Sequence, residues 1–328
     1  MVRLSRFARY AWAVLAYNVL VVLWGTYVRA TGSGAGCGSH WPLCQGVVVP
    51  QSPQAATVIE FIHRASSGVV VVLAAGMILW AWRAYPRGDA VRLGAALVGI
   101  FTLTEALLGA ALVLFGWVAL NQSVQRAVSV AGHLVNTFLL LAALAFTARA
   151  ASGGSKVTVR GQGWPAWGLG LGLLAMLALG TSGAVTALGD TLFPSGSLAQ
   201  GVQQDFAPTA HLLIRLRIFH PLIAIAVTAY LLGMGNLVLR ARPGAGSRRL
   251  LSALTAVLLV QLVAGAVNVA LLAPVWMQLL HLFIADLTWL TTVLLAASFL
   301  AAKPGMVRQD VEDAPEAQEA RRNALSAS

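Results

Sequence analysis

Charged side chains are scarce in this chain. Only 10% of its 328 residues are Asp, Glu, Lys or Arg, whereas 58% are hydrophobic. Soluble globular domains carry about 25% charged residues, so the composition excludes that class and predicts a polytopic membrane protein. A hydrocarbon layer needs roughly 20 apolar residues per helix. We therefore expect an all-α integral membrane protein with eight transmembrane helices, at about 10–29, 58–82, 93–115, 127–148, 165–188, 211–239, 250–272 and 278–301.

Acidic residues are scarcer than basic ones, with 11 against 22 and a formal net charge of +11. Such an excess suggests a nucleic acid partner, but most basic residues lie before span 1, between spans 2 and 3, 4 and 5, or 6 and 7, and after span 8. The positive-inside rule assigns that side to the cytoplasm. We expect membrane lipid and no nucleic acid as partner, and a multi-pass protein of the bacterial cell membrane with both termini in the cytoplasm.

Cysteine is nearly absent. Both cysteines, Cys37 and Cys44, fall in the first loop on the outer side, where the compartment is oxidising. The pair indicates either a disulfide that ties the loop or a redox-active pair that relays electrons. His40 lies between them, but three candidate metal ligands in one loop are a weak pattern.

The chain contains an internal repeat. Gly25 aligns with Gly180, and the run that begins at Glu105 aligns with the run that begins at Gln261. Each copy holds four spans, so both copies share one orientation, and we expect two tandem four-helix bundles related by a pseudo-twofold axis along the membrane normal. The expected divisions are an N-terminal half, a C-terminal half and a flexible cytoplasmic tail, at 1–150, 151–302 and 303–328.

Four histidines recur at matching depths of the two halves: His63, His133, His220 and His281. They fall near the outer ends of spans 2, 4, 6 and 8. A neutral imidazole is costly to place in hydrocarbon unless it has a function. Two histidines on facing helices can hold a haem iron between them, so the pattern indicates two bis-histidine haem sites, one in each half.

Basic side chains near the outer ends of the spans are candidates to bind the propionates of a haem. Arg64 follows His63 directly, and Arg217 lies one turn before His220. Either arginine is a candidate to bind a haem propionate, because arginine pairs bidentately with carboxylates; the alternative is that each only extends toward the lipid interface. Three other arginines share that depth: Arg29, Arg126 and Arg215.

Three acids lie in or near the spans. Glu60 stands three residues before His63, on the same helix face, where a carboxyl close to a haem edge can take or give a proton; its alternative role is to cap the first helical turn. Glu105 is expected to make a polar contact within the bundle or to serve a proton path. Asp286 is expected to support His281 or to contact another helix.

These residues carry a close resemblance to the haem A synthase family in its bacterial form. The similarity covers about residues 10–300, and its most specific part combines the cysteine loop with the Glu-x-x-His-Arg pattern. The matching segments are Arg29-Ala-Thr-Gly-Ser-Gly-Ala-Gly-Cys37, Trp41-Pro-Leu-Cys44, Glu60-Phe-Ile-His63-Arg64, His133, His220-Pro221 and His281. One departure is Glu105, where glutamine is expected in relatives.

The resemblance implies an oxidoreductase that converts the methyl group of haem O into the formyl group of haem A through a hydroxymethyl intermediate. It implies that His63 and His133 bind the substrate haem O, that His220 and His281 hold a resident haem b, and that Glu60 is the catalytic carboxylate. The resemblance also matches Cys37 and Cys44 to an outer-loop pair involved in electron transfer or haem handling.

The implied partners are a haem O synthase, which is a protohaem farnesyltransferase, the cytochrome c oxidase assembly pathway, and a quinone or another electron-transfer partner. A second copy of the chain is a further candidate. One rival function is a b561-like dihaem transmembrane electron carrier, which explains the histidines but gives no reason for Glu60 or the cysteine loop. Another is a transporter or haem exporter, which the parallel repeats suggest.

Overall fold

The computed structural model describes residues 4–51 and 53–301, and these residues form ten helices. The predicted tail at 303–328 lies outside the described residues. The helices are α1 Arg6–Ala30, α2 Ala55–Ala84, α3 Ala90–Leu114, α4 Val124–Ala151, α5 Trp164–Leu192, α6 Leu198–Phe206, α7 Leu212–Arg217, α8 Phe219–Ala241, α9 Ala245–Ala270 and α10 Val275–Ala301.

Within residues 4–51 and 53–301, eight segments are long and apolar enough to cross a membrane, which confirms the predicted all-α class and number of spans. The sixth, Leu212–Ala241, is interrupted at Ile218, between α7 and α8. Pro221 explains the interruption, because it has no amide hydrogen to donate to the carbonyl of Arg217 one turn earlier. The sequence predicted one continuous helix here, and it did not predict α6 in the preceding loop.

Side-chain caps fix where several spans begin. The Ser5 hydroxyl accepts a hydrogen bond from the amide of Ala8 at the start of α1, and the Ser123 hydroxyl accepts one from the amide of Arg126 at the start of α4. The Asp89 carboxylate does the same for Val91 at the start of α3. These acceptors satisfy amides that have no partner within the helix, so short polar side chains end the loops and begin the apolar helices.

Two helices, one from each half, form the centre of the molecule. α4 packs against α1, α3, α5 and α10, and α10 packs against α1, α4, α5 and α9. Within the N-terminal half, α3 approaches α4 closely, since a Cβ added at Gly94 would clash with Thr147 Oγ1. Small residues permit such close packing between helices in membranes. The pseudo-twofold axis stays a prediction, as do the boundaries of the two halves.

An aromatic pair joins α4 to α10 in the core. The rings of Phe138 and Trp289 are stacked with their centroids 5.2 Å apart and their planes 14° apart. Trp289 Nε1 donates a hydrogen bond of 2.6 Å to the carbonyl of Phe138. Both side chains are buried, and a Cβ added at Gly180 of α5 would lie 2.9 Å from Phe138 Cε2. The pair therefore ties the helices that carry His133 and His281.

Replacing Trp289 tests this junction. Trp289→Ala removes a buried aromatic side chain and should cost about 3–5 kcal/mol, whereas Trp289→Phe loses chiefly the hydrogen bond and should cost about 1 kcal/mol. Thermal unfolding of the detergent-solubilised protein measures both. Trp167→Ala is the control, because Trp167 is 83% exposed and its loss should change stability by less than about 0.5 kcal/mol. Equal melting of Trp289→Ala and Trp167→Ala would contradict the role of the pair.

Candidate functional site

The four histidines lie on α2, α4, α8 and α10, toward the helix ends that face the cysteine loop and α6. The rings of His220 and His281 meet edge to face, with centroids 6.5 Å apart and planes 87° apart. His63 and His133 are also neighbours, close enough for their charges to interact. The structure thus brings together the two pairs that the sequence predicted.

Glycines lie directly against three of the four imidazoles. A Cβ added at Gly25 would lie 2.8 Å from His63 Cε1, one at Gly183 would lie 3.0 Å from His220 Cε1, and one at Gly265 would lie 3.2 Å from His281 Cε1. Gly183, and not Gly180, is therefore the counterpart of Gly25. The sequence alignment of α1 with α5 was wrong here by one helical turn, because several closely spaced glycines in α5 fit the same pattern.

Ser182 orients His220. The Ser182 hydroxyl donates a 2.8 Å hydrogen bond to the carbonyl of Leu179, and its oxygen lies 2.8 Å from His220 Nδ1. Because the hydroxyl has only one proton to donate, it accepts from the N–H at Nδ1. Nε2 of His220 is then unprotonated and able to bind a metal ion.

Each of the other three imidazoles has a buried nitrogen without a hydrogen bond to the described residues. Nδ1 of His63, His133 and His281 makes no hydrogen bond to the described residues, although Glu105 Oε1 lies 3.5 Å from Nδ1 of His133. Buried polar atoms are rarely left unpaired. Paired imidazoles with glycines beside them fit the axial ligation of a haem iron by each pair, in the ligand set that bis-histidine haem proteins use.

Glu60 connects the first histidine pair to the cysteine loop. Its Oε2 accepts a 2.7 Å hydrogen bond from the amide of Cys37, and its Oε1 accepts from Arg64 Nη2 at 2.6 Å and from Arg64 Nε at 3.1 Å. The Glu60 side chain is only 4% exposed. Three donors leave part of the acceptor capacity of the carboxylate unused, so Glu60 can still accept a further hydrogen bond.

Arg64 holds the same loop from the other side. Its Nη1 donates to the carbonyls of His40 and Leu43, at 2.5 and 2.6 Å. Cys37 and Cys44 are joined in a disulfide that closes this loop. The sequence predicted neither arginine contact, because both depend on how the loop folds over α2. Binding of a propionate by Arg64 stays a prediction, and it would compete with these partners.

Arg217 has two acidic partners that the sequence analysis missed. Its Nη2 lies 2.6 Å from Asp205 Oδ1 on α6, and its Nη1 lies 3.0 Å from Asp190 Oδ1 on α5. Asp205 therefore attaches α6, which has no buried residue, to the helix turn before His220. Only the positions of these acids near the outer ends of the spans could have indicated them, and their pairing required the fold. A propionate contact of Arg217 stays a prediction.

Arg29 crosses from the N-terminal half into the C-terminal half. Its Nη1 donates to the carbonyl of Ala187 and to Thr191 Oγ1, both at 2.8 Å, and its Nη2 donates to Gln278 Oε1 at 2.9 Å. Arg126 is 3% exposed and donates to backbone carbonyls of the preceding loop. Both arginines therefore bind protein groups at this level instead of extending to the lipid interface.

Glu105 and Gln261 occupy matching places beside the second histidine of each pair. Glu105 Oε1 faces His133, and Gln261 Nε2 lies 3.3 Å from His281 Nε2. The alignment of Glu105 with Gln261 therefore corresponds to a shared contact. Asp286 is completely buried, and neither of its carboxylate oxygens has a hydrogen-bond partner among the described residues. It does not contact His281 through a hydrogen bond.

Fold and site define a multi-pass helical membrane protein with two pairs of partly buried histidines. The sequence model of the cytochrome oxidase assembly protein family, COX15-CtaA, matches residues 8–293. The chain belongs to this family, which confirms the predicted resemblance.

Named relatives are of two kinds. Over 296 residues, 90% of this chain and 49% of the relative, the chain is 55% identical to a protein of Thermus thermophilus named "Protoheme IX farnesyltransferase". It is 43% identical over 98 residues, 30% of this chain and 33% of the relative, to a "Heme A synthase" of Shouchella clausii. It is 37% identical over 114 residues, 34% of this chain and 37% of the relative, to one of Bacillus mycoides. The chain thus spans about half the length of the Thermus relative and about a third of the other two.

Gly25→Ala tests the fit between glycine and imidazole. The new methyl group would meet His63 at 2.8 Å, and such overpacking typically costs about 1–3 kcal/mol. We expect a lower haem content per chain, measured from the absorbance of the purified protein, and a lower melting temperature. The matched control is Gly170→Ala, because a Cβ at Gly170 meets nothing within 4 Å. Identical haem content and melting in the two variants would show that Gly25 does not position His63.

Proposed function

We propose that this protein is a haem A synthase, which oxidises the methyl group of haem O to a formyl group through a hydroxymethyl intermediate. The observation that carries the proposal is the presence of two pairs of partly buried histidines in a chain of this family. A haem bound between each pair would supply electron transfer at an iron centre. The name of the Thermus relative belongs to a protein twice as long as the match, so it does not assign farnesyl transfer to this chain.

His63 and His133 bind the substrate haem O in this proposal, and His220 and His281 hold the resident haem b. The asymmetry of the two halves supports the assignment. Glu60 lies three residues before His63, whereas the residue three before His220 is Arg217. Only the first half therefore carries a carboxylate at this helix position, and a proton acceptor is what oxidation of a methyl group requires. The halves comprise residues 1–150 and 151–302.

The atoms, protons and electrons of the proposed oxidation balance in two steps. The methyl carbon and one water give the hydroxymethyl group, two protons and two electrons, and the hydroxymethyl group then gives the formyl group with the release of two more protons and two more electrons. Glu60 accepts a proton when water adds to the carbon, and a positioned acid–base group contributes roughly 10²–10⁴-fold to a rate. A membrane quinone, reduced to quinol, is the proposed acceptor of each electron pair.

The remaining partners follow from this chemistry. A protohaem farnesyltransferase supplies haem O, and the assembly pathway of cytochrome c oxidase receives haem A. The basic loops support an orientation with both termini in the cytoplasm of a bacterial cell and the cysteine loop outside. In this arrangement the disulfide and Arg64 hold the outer loop over Glu60, so the loop screens the carboxylate from water. A second copy of the chain remains a proposed partner.

Co-expression with a farnesyltransferase that makes haem O tests the function directly. Membranes are extracted, and their haems are identified by chromatography and mass. We expect haem A or its hydroxymethyl precursor with the wild-type chain, and neither with His63→Ala. Haem b and unaltered haem O alone, with the protein folded and haem-loaded, would overturn the proposal in favour of a dihaem electron carrier.

Glu60→Gln tests the proton acceptor. The amide cannot take up the proton, so the rate of haem A formation should fall by about 10²-fold or more, while haem content stays near that of the wild type. Thr57→Val is the matched control, because it removes a 2.8 Å hydrogen bond from the same helix to the carbonyl of Gly36 in the same loop without touching Glu60. Normal haem A formation by Glu60→Gln, or an equal loss in both variants, would refute a proton role for Glu60.

A further inference from the structure

Glu105 is a partly buried carboxylate of α3 that side chains of α4 hold in place. Its Oε1 lies 2.5 Å from the Thr137 hydroxyl, and its Oε2 accepts a 2.5 Å hydrogen bond from Asn136 Nδ2. The same Asn136 amide donates to the carbonyl of Phe101, and its oxygen accepts from Thr104. This network fixes the carboxylate with Oε1 facing Nδ1 of His133 at 3.5 Å.

The C-terminal half has a neutral side chain at the matching place. Gln261 lies beside His281, but its contact is with Nε2 of the imidazole, at 3.3 Å, and Nδ1 of His281 makes no hydrogen bond to the described residues. The second pair instead has the hydroxyl of Ser182 on Nδ1 of His220. The hydrogen-bonding partner nearest Nδ1 is thus a carboxylate in the first half and a neutral hydroxyl in the second.

We propose that Glu105 is a positioning residue that accepts the N–H at Nδ1 of His133, keeps Nε2 free for an iron, and makes a haem at the first pair easier to oxidise than a haem at the second. A carboxylate behind a ligating histidine fixes its tautomer and raises its basicity. A more basic ligand stabilises ferric over ferrous iron, and hydrogen bonding around the ligands is one of the main controls of a haem potential.

A contact of 3.5 Å is compatible with this role. Charge-assisted N–H to carboxylate bonds are about 2.7–2.9 Å long, so a shift of less than about 1 Å closes the gap. The ring of His133 can make that shift, because its Nδ1 has no hydrogen bond among the described residues to hold it elsewhere. Thr137 and Asn136, which bind the carboxylate of Glu105, lie on α4 together with His133. One helix therefore fixes the position of both the carboxylate and the imidazole.

The inference rests on the proposed function only in assuming that His63 and His133 bind a haem. It gives the two sites a fixed order of reduction, in which the second pair takes up an electron first. That order suits a substrate site that gives up electrons and a resident site that receives them.

Potentiometric titration of the purified full chain loaded with haem b tests the inference. In a His281→Ala background, which leaves only the first pair, Glu105→Gln should raise the midpoint potential. At a fixed potential the ratio of oxidised to reduced haem should fall about tenfold, which corresponds to about 59 mV for one electron. In a His63→Ala background, which leaves only the second pair, Gln261→Glu should lower the midpoint potential, and Glu105→Gln should leave it unchanged.

Thr104→Val is the control for a general disturbance of the network. It removes the hydrogen bond to the Asn136 oxygen and leaves the charge in place, so the potential should stay at the wild-type value. An unchanged potential in Glu105→Gln, an equal shift in Thr104→Val, or a folded His281→Ala protein that holds no haem would each overturn the inference. Absence of haem A formation with the expected potentials would instead count only against the proposed oxidation.

Discussion

The packing of α4 against α10 is the contact on which both histidine pairs depend. Each helix has two roles: it carries one histidine of its own half, and it forms the junction to the other half through the stacked rings of Phe138 and Trp289. The partner histidines lie on α2 and α8, which pack chiefly against α1 and α3, and against α5 and α9. Because lipid gives helices no hydrophobic reason to associate, close packing and buried hydrogen bonds have to hold the junction together.

Near the histidines of each half, one arginine binds the surrounding segments, and its partners differ between the two halves. In the first half, Arg64 and Glu60 belong to one helix turn and clamp the cysteine loop. In the second half, Arg217 recruits Asp190 from α5 and Asp205 from α6. An arginine inside or near a membrane needs anionic or carbonyl partners, and each half meets this need with a different set. The common element is that each arginine lies within one helical turn of a histidine, so loop structure and imidazole position are linked.

Much of this architecture is predictable from the sequence because hydrophobic length and histidine placement are local properties. The eight spans and the two histidine pairs follow from them. Other features depend on tertiary contacts. The amphipathic α6 has too few apolar residues to register as a span, the break at Ile218 reflects a proline three residues later, and the contact of Arg29 with Gln278 joins residues far apart in the chain. The one-turn error at Gly183 arose because small residues repeat along α5, so that only the observed contact with His220 separates them.

The glycines that touch imidazoles have a consequence for how this sequence can change. At Gly25 a methyl group has no room unless His63 moves, and at Gly183 it requires His220 to give by a few tenths of an ångström. A larger residue at either position therefore requires a simultaneous change in the histidine or in the distance between two helices. In an alignment of natural relatives, each glycine and its histidine should consequently be retained or lost together, as positions in direct contact are. Such covariation would be visible without any knowledge of the cofactor.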